Sequence, residues 1–375
     1  MKQPLVSFIL PNYNNEYILD LMFQRFLENN TYPNYEFIVV DDGSEDNGVA
    51  LLRKWQASGH IKNMTVIAKK HEGIIPALNC ALDHVRGEFI IRLDGDATVE
   101  TKGFVEKLLQ IYAFNPDKIG VITGLTMTDT GSVFTVGRNV IWPQGITSEH
   151  REPTEPIGHR TWDTNLQDRP DADQIVATPA EVDTVLGCFA FCDTATARKI
   201  KGFDPGYPLW IEDDDFYLSF RLFGKKCFYV PDILICHRLS LRGNRNPAAW
   251  HKSACPRWLF HKVIKENKTK YKLFYLTIFE IHQKKNKRIY SLFGRLLPVF
   301  YRTVSDLSWR QKILLQDYAY WQDKWGFSIL NPDMDYILKR YQGTELVWRY
   351  TPHLKKIGEE IVSQIKQLEQ EWKKS

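Results

Sequence analysis

The sequence predicts an α/β fold: a doubly wound, largely parallel sheet followed by a mainly helical C-terminal module. Three observations predict it. Over the first hundred residues, short β-branched and aromatic runs alternate with amphipathic stretches. Three of those runs end in polar residues, as strands do when they converge on a ligand crevice. After about Leu239 the periodicity becomes mostly helical. A chain of 375 residues is long enough for two units, and the change of pattern divides it into residues 1–245 and 246–375.

Strands are expected at Leu5 to Leu10, Glu36 to Val40, Met64 to Ala68 and Glu88 to Leu93. Helices are expected between them, at Glu16 to Glu28, Asp46 to Ala57 and Ile74 to Val85, where apolar residues recur three or four apart. A helix beginning near Phe104 and a strand from Ile119 to Thr123 follow. From Thr147 to Pro179 the chain is polar, contains four prolines and shows no sustained period, which reads as a long loop of the kind that serves as a lid. Order returns with one strand-like run from Val182 to Phe191 and a short helix from Asp193. A helix from about Asp213 to Phe223 comes next, then two strands around Phe228 to Tyr229 and Ile233 to Cys236. Leu354 to Lys373 is a charged amphipathic helix, and there is no internal repeat.

With 43% hydrophobic and 25% charged residues, the composition is that of an ordinary globular protein, not a disordered or fibrous one. No stretch reaches the roughly 18 apolar residues of a spanning helix, and no signal-peptide pattern precedes the first strand, so a cytoplasmic location is expected. The six cysteines, Cys80, Cys188, Cys192, Cys227, Cys236 and Cys255, lack zinc-ligand spacing and read as reduced, buried thiols. The net charge of +4 conceals a basic block: between His251 and Arg302 thirteen Lys or Arg face two Glu, with aromatic residues interleaved. Such a block suits an anionic membrane surface, at the inner face for a cytoplasmic protein, or an anionic polymer; solvated helix faces are the plainer reading. Nucleic acid is not expected, since no recognition fold is evident.

Asp94-Gly95-Asp96 follows the apolar run Phe89 to Leu93, placing two carboxylates at a strand end with a glycine that permits close approach. Hard oxygen ligands so spaced suit Mg²⁺ or Mn²⁺, which bridge phosphates, although a lone Asp-x-Asp is most often a solvated turn. Two further strand ends read Pro11-Asn12-Tyr13-Asn14 and Asp41-Asp42-Gly43-Ser44. Together with Ser7 to Leu10, Ile38 to Val40 and Gly87 to Leu93, these motifs resemble the family 2 glycosyltransferases of the GT-A fold, over about residues 5 to 240.

The resemblance implies a nucleotide-sugar donor, with a UDP-sugar favoured. Pro11 and Tyr13 would flank the base, Asp42 would accept a hydrogen bond from its imide, and Asn79 would lie near the donor. Asp96 would be the main metal ligand of this DXD motif, with Asp94 also on the ribose or sugar, and Asp94, Asp96 and His237 together would hold the cation. The plainer readings are a helix cap for Asp42 and a satisfied helix residue for Asn79. In Trp210-Ile211-Glu212-Asp213-Asp214-Asp215 the resemblance places the catalytic segment, with Asp213 as general base of an inverting transfer. Glu212 and Asp215 would hold acceptor hydroxyls and Trp210 would wall a sugar ring, against the ordinary reading of a core tryptophan and an acidic helix start. Four adjacent acids repel one another, so at least one raised pKa is expected among them. His237, at the end of the run Ile233 to Cys236, resembles the histidine that completes the metal site in some members, although a strand-end histidine is more commonly a partly buried polar group.

Processive synthases of the family carry membrane helices and a Gln-x-x-Arg-Trp motif; here Ala254 precedes Arg257-Trp258, which predicts addition of single sugars or short chains. The expected acceptor is a hydroxyl of a glycan, lipid-linked or polymer substrate in cell-surface polysaccharide synthesis, and an oligomer is compatible with the sequence. Two rivals stand beside this reading. A nucleotidyltransferase should carry a Gly-rich, Lys-containing loop where this chain has Pro11-Asn12-Tyr13-Asn14, and a non-catalytic nucleotide-binding scaffold would not need both Asp94/Asp96 and Asp213.

Overall fold

The computed structural model describes residues 3–129, 131, 133–139, 158–161, 172–209, 211–238, 309–327 and 333–374. Its opening half alternates as the sequence predicts: β1 (Val6–Asn12), α1 (Glu16–Asn29), β2 (Tyr35–Asp41), α2 (Gly48–Ser58), β3 (Met64–Ala68), α3 (Ile74–His84) and β4 (Phe89–Leu93). Next come β5 (Ala97–Val99), α4 (Phe104–Tyr112), β6 (Ile119–Thr128), β7 (Val133–Asn139), β8 (Gly158–Thr161) and α5 (Ala172–Val176). The long segment read as a loop therefore contains a short strand and a short helix, both below the length at which periodicity can be recognised.

The one run expected from Val182 to Phe191 divides into β9 (Ala180–Val182) and β10 (Phe189–Asp193), which pair with different strands. Asp193 caps α6 (Thr194–Ile200), its Oδ1 accepting from the Thr196 N–H at 2.7 Å. The acidic helix α7 (Glu212–Ser219) tightens into a 3-10 turn over Phe220–Phe223. The two strands expected beyond it are a single strand, β11 (Lys226–His237). Pro231 and Asp232 interrupt the sequence pattern there, and the chain absorbs them in a register shift between Val230 and Leu234. The Ile233 carbonyl turns so far toward β6 that a Cβ on Gly124 would lie 2.1 Å from it, so this crossing needs glycine. The C-terminal part contributes α8 (Trp309–Trp325), α9 (Met334–Arg340), a 3-10 turn (Glu345–Tyr350) and α10 (Pro352–Trp372). The predicted boundary at 245/246 and the basic block 251–302 lie outside the described residues.

The main sheet runs β3-β2-β1-β4-β10-β6-β11-β5. Strands β3, β2, β1 and β4 are mutually parallel, β10 enters antiparallel between β4 and β6, and β6 and β11 are again parallel. Alternation along each strand sends Ile9, Ile38, Val40 and Ile90 to one apolar cluster and Phe8, Leu10, Phe37, Val39 and Ile91 to a second on the opposite face. The C-terminal helices enter both: Trp321, Trp325, Phe327 and Ile337 join the first, Ile361 and Ile365 the second. The five described cysteines are free; four are buried as expected, whereas Cys80 is half-buried, and Cys255 is outside the described residues. Among the described residues no helix is long and apolar enough to cross a membrane.

Candidate functional site

The carboxyl ends of β1 and β2 are in register, Asn12 opposite Asp41. Asp41 is spent on the turn itself, accepting from Asn12 Nδ2 at 2.7 Å, from the Ser44 hydroxyl at 2.6 Å and from the Ser44 N–H at 2.9 Å. Pro11 is buried in β1, whereas Tyr13, just past the strand, is 40% exposed and stacks on His71 with centroids 4.3 Å apart. Asp42 is buried and surrounded by donors. Its Oδ1 receives Lys69 at 3.2 Å and the Glu72 N–H at 3.0 Å; its Oδ2 receives the Gly73 N–H at 2.7 Å and lies 2.8 Å from His71 Nδ1. It is no simple helix cap.

Asn79 is placed differently. Its Nδ2 donates to the Phe203 carbonyl and its Oδ1 accepts the Phe203 N–H, both at 2.8 Å, so its amide ties α3 to the loop after α6.

The end of β4 forms the second wall. Arg92, buried within the apolar strand, donates through Nε to Asp94 Oδ1 at 3.1 Å and through Nη2 to Glu212 Oε1 at 3.3 Å. Its guanidinium lies flat on Gly187, where a Cβ would come within 2.3 Å of its central carbon. Because β10 runs antiparallel to β4, the Gly187-Cys188 dipeptide sits across from Asp94: the Cys188 carbonyl accepts the Asp94 N–H at 3.1 Å, and the Gly187 N–H donates to Asp213 Oδ2 at 2.8 Å. One dipeptide thus touches both acidic motifs. The pairing of β5 with β11 sets Ala97 opposite His237 and brings His237 Nε2 to 3.1 Å from Asp96 Oδ1.

The third wall is the first turn of α7, entered through Ile211 at φ 70°, a left-handed conformation unusual for a β-branched residue. All four acids are buried, and each has a cation: Arg92 for Glu212, Arg138 for Asp213 (3.2 Å) and Asp214 (2.8 Å), and Lys324 for Asp215 (2.8 Å). Burial and the neighbouring Asp213 push Glu212 up to about 8, and burial pushes Asp214 up to about 7 against the pull of Arg138. Burial also works to raise Asp213, but Arg138, Arg92 and the N–H groups of Gly187 and Asp214 overcome it and hold Asp213 below the ordinary carboxylate value. The raised pKa expected of the quartet therefore falls on its flanking members and not on Asp213. Burial and the neighbouring Asp96 raise Asp94 despite Arg92.

Among the described residues no cluster of three or more His, Cys, Asp or Glu stands assembled around a metal position. Asp96 and His237 are the pair that would hold a divalent cation, carboxylate oxygen and imidazole nitrogen lying 3.1 Å apart. Asp94 is held by Arg92 beside that pair, not within it. Trp210 lies outside the described residues.

Sequence reasoning missed Arg92, Arg138, His71 and Lys324. Arg92 carried a signal, a charge inside the buried run Phe89-Ile90-Ile91-Arg92-Leu93. Arg138 sits on a strand with no clear alternation and Lys324 on a distant helix, and neither offered one.

In open α/β sheets of this class ligands bind beyond the carboxyl ends of the strands, where Asp42, Asp94 and Asp96 stand. Residues 7–175 match the family model described as glycosyl transferase family 2. A Shewanella sediminis protein named undecaprenyl-phosphate 4-deoxy-4-formamido-L-arabinose transferase is 32% identical over 93 residues, 24% of this chain and 28% of its own length. An Escherichia coli protein named UDP-Glc:alpha-D-GlcNAc-diphosphoundecaprenol beta-1,3-glucosyltransferase is 38% identical over 96 residues, 26% of this chain and 36% of its own length. The matches thus span about a third of these relatives. Among solved structures, a mannosyltransferase from Pyrobaculum calidifontis in complex with GDP-Man and Mn²⁺ superposes with TM-score 0.47 at 16% identity, covering 87% of this chain and 88% of that one.

Proposed function

We propose that the protein is an inverting glycosyltransferase that moves a sugar from a nucleoside-diphosphate donor, UDP being favoured, to the hydroxyl of a lipid-linked or glycan acceptor. The observation that carries this reading is the junction at Arg92 and Gly187-Cys188, which joins the Asp94-Gly95-Asp96 strand end to the acidic turn of α7. In this reading a phosphate-binding corner and a candidate base are held side by side. The polyprenyl carriers in the names of both relatives support a lipid-linked acceptor in cell-surface polysaccharide synthesis, and the UDP-sugar in one of those names supports the donor.

In this reading Tyr13 stacks on the base. An imide N–H reaches Asp42 only by displacing one of its four donors, and His71, whose side chain is 55% exposed, is the one free to leave. Asp96 and His237 would hold Mn²⁺ or Mg²⁺. When bound, the cation neutralises charge on the departing diphosphate, so no protonated carboxyl is needed to assist the leaving group. Arg92 keeps Asp94 oriented beside the sugar. Asp213, ionised at neutral pH, takes the proton from the acceptor hydroxyl as that oxygen bonds to the anomeric carbon. The bond from that carbon to the diphosphate breaks on the opposite face, and the new linkage has inverted configuration. The basic segment 251–302 would rest on an anionic membrane surface near the lipid-linked acceptor.

The test is a pair of variants. Asp213→Asn should abolish transfer, by about a thousandfold or more, while Mn²⁺-dependent UDP binding measured by calorimetry stays within about threefold. Asp96→Ala should weaken both. Near-normal turnover in Asp213→Asn would refute the assignment of the base.

A further inference from the structure

The acidic turn of α7 is completed by a residue from outside the sheet. Two of the three cations facing it, Arg92 and Arg138, stand on β4 and β7; the third, Lys324, comes from the last turn of α8. Asp215, 2% exposed, accepts from Tyr207 Oη at 3.0 Å and Trp325 Nε1 at 2.8 Å on Oδ1, and from Lys324 Nζ at 2.8 Å on Oδ2. Both of its oxygens are therefore engaged by side chains. Lys324 also reaches Asp204 Oδ2 at 2.6 Å, and Tyr320, one turn earlier on α8, donates to Asp204 Oδ1 at 3.1 Å. Behind these contacts Trp325 stacks on the fully buried Trp321, centroids 5.3 Å apart, and the Trp325 carbonyl accepts Tyr341 Oη at 2.8 Å.

From this arrangement we infer that Lys324 and Trp325 are positioning residues of the active site: by gripping Asp215 they set the placement of α7 and, two residues earlier, of Asp213. The inference rests on the glycosyl-transfer reading above. Asp213 and Asp215 share one helical turn, so a displacement at Asp215 is passed to Asp213 as a rigid shift, and a base misplaced by about 1 Å loses rate steeply. The donor contacts proposed for Tyr13, Asp42, Asp96 and His237 stand on other elements. Losing the grip should therefore reduce turnover and leave donor affinity alone.

The experiment measures UDP release from UDP-glucose, UDP-galactose and UDP-N-acetylglucosamine with Mn²⁺, UDP affinity by calorimetry, and Tm, all on the full chain. Lys324→Met should lower kcat about tenfold with KM and UDP affinity within about twofold, because the removed interaction acts on the transition state and not on donor binding. Lys324→Arg, which keeps the charge, should retain kcat within about threefold. The double variant Lys324→Met with Asp215→Asn should recover most of the lost kcat, since the buried carboxylate left without its cation is removed with it. A Lys324→Met protein with unchanged kcat and only a lower Tm would overturn the proposal, as would a double variant with no recovery. Absence of both UDP binding and turnover in the unaltered protein would overturn the glycosyl-transfer reading, and this inference with it.

Discussion

Asp213 is ionised because its neighbours make it so. Arg138 is the strongest of the groups that hold its pKa below the ordinary value against burial. A folded-state pKa below that of the unfolded chain contributes stability above about pH 4 that is lost as pH falls through the lower value. Arg138→Met removes that support, so the acid limb of the pH–rate profile should move up by about one to two pH units. The same change should cost about 3 kcal/mol in denaturant unfolding, since two buried carboxylates lose their cation. An acid limb that stayed in place would show that Asp213 is not the group being titrated. At this scale the sequence disclosed identities better than environments. Asp94, Asp96, Asp213 and His237 were singled out from motif and position, but two of the contacts that set their surroundings lie far off in the chain: Arg138 is 75 residues from Asp213, and Asp96 is 141 from His237. Asn79, whose motif position suggested a ligand contact, has its amide bonded to the Phe203 backbone.

Elements with a full period were legible; short or interrupted ones were not. Helices α1 to α4 and strands β1 to β4 appear within a few residues of expectation because their apolar spacing is uninterrupted. Strand β11 was read as two because Pro231-Asp232 masks a continuous ladder, and β9 and β10 were read as one because Val185, Leu186 and Cys188 between them carry the apolar run on. The three-residue β5 gave no signal, although it is the strand that carries Ala97 to His237. Helix α10 was expected as an amphipathic helix, and the structure adds what its far end does: Glu369 accepts the Asp232 N–H at 3.1 Å and is raised to about 7, chiefly by burial and also by the Asp232 carboxylate. An acid whose folded pKa lies above its unfolded value binds more protons when folded, so stability falls as pH rises from about 4.5 through 7. In thermal melts between about pH 5 and 8, Glu369→Gln should flatten the decline in Tm relative to the parent. An unchanged slope would assign the decline to the other buried acids with raised pKa, among them Glu212, Asp214 and Asp94.

For the molecule as a whole, charge is the least local property. The net +4 divides into a strongly basic stretch, 251–302, and an acidic remainder. If that stretch seats the protein on a bilayer, the full chain should cosediment with vesicles containing about 30% phosphatidylglycerol and not with neutral ones, and about 0.5 M salt should release it. Retention at high salt would point to apolar insertion by the interleaved aromatic residues. The α/β class and the helical character of the C-terminal region were visible in the alternating pattern. The sharing of both apolar clusters between the sheet and residues beyond 309 was not, because periodicity shows that a face is apolar without naming what covers it.

That sharing bears on how the chain is made. Strands emerging first from a ribosome would wait, one apolar face without Trp321 and Trp325 and the other without Ile361 and Ile365, until translation had run past residue 365. Nascent polypeptide held in that half-clad condition is a natural client for chaperones. A premature stop within Pro352–Trp372 should consequently yield insoluble product, even though every residue proposed to touch substrate would already have been synthesised.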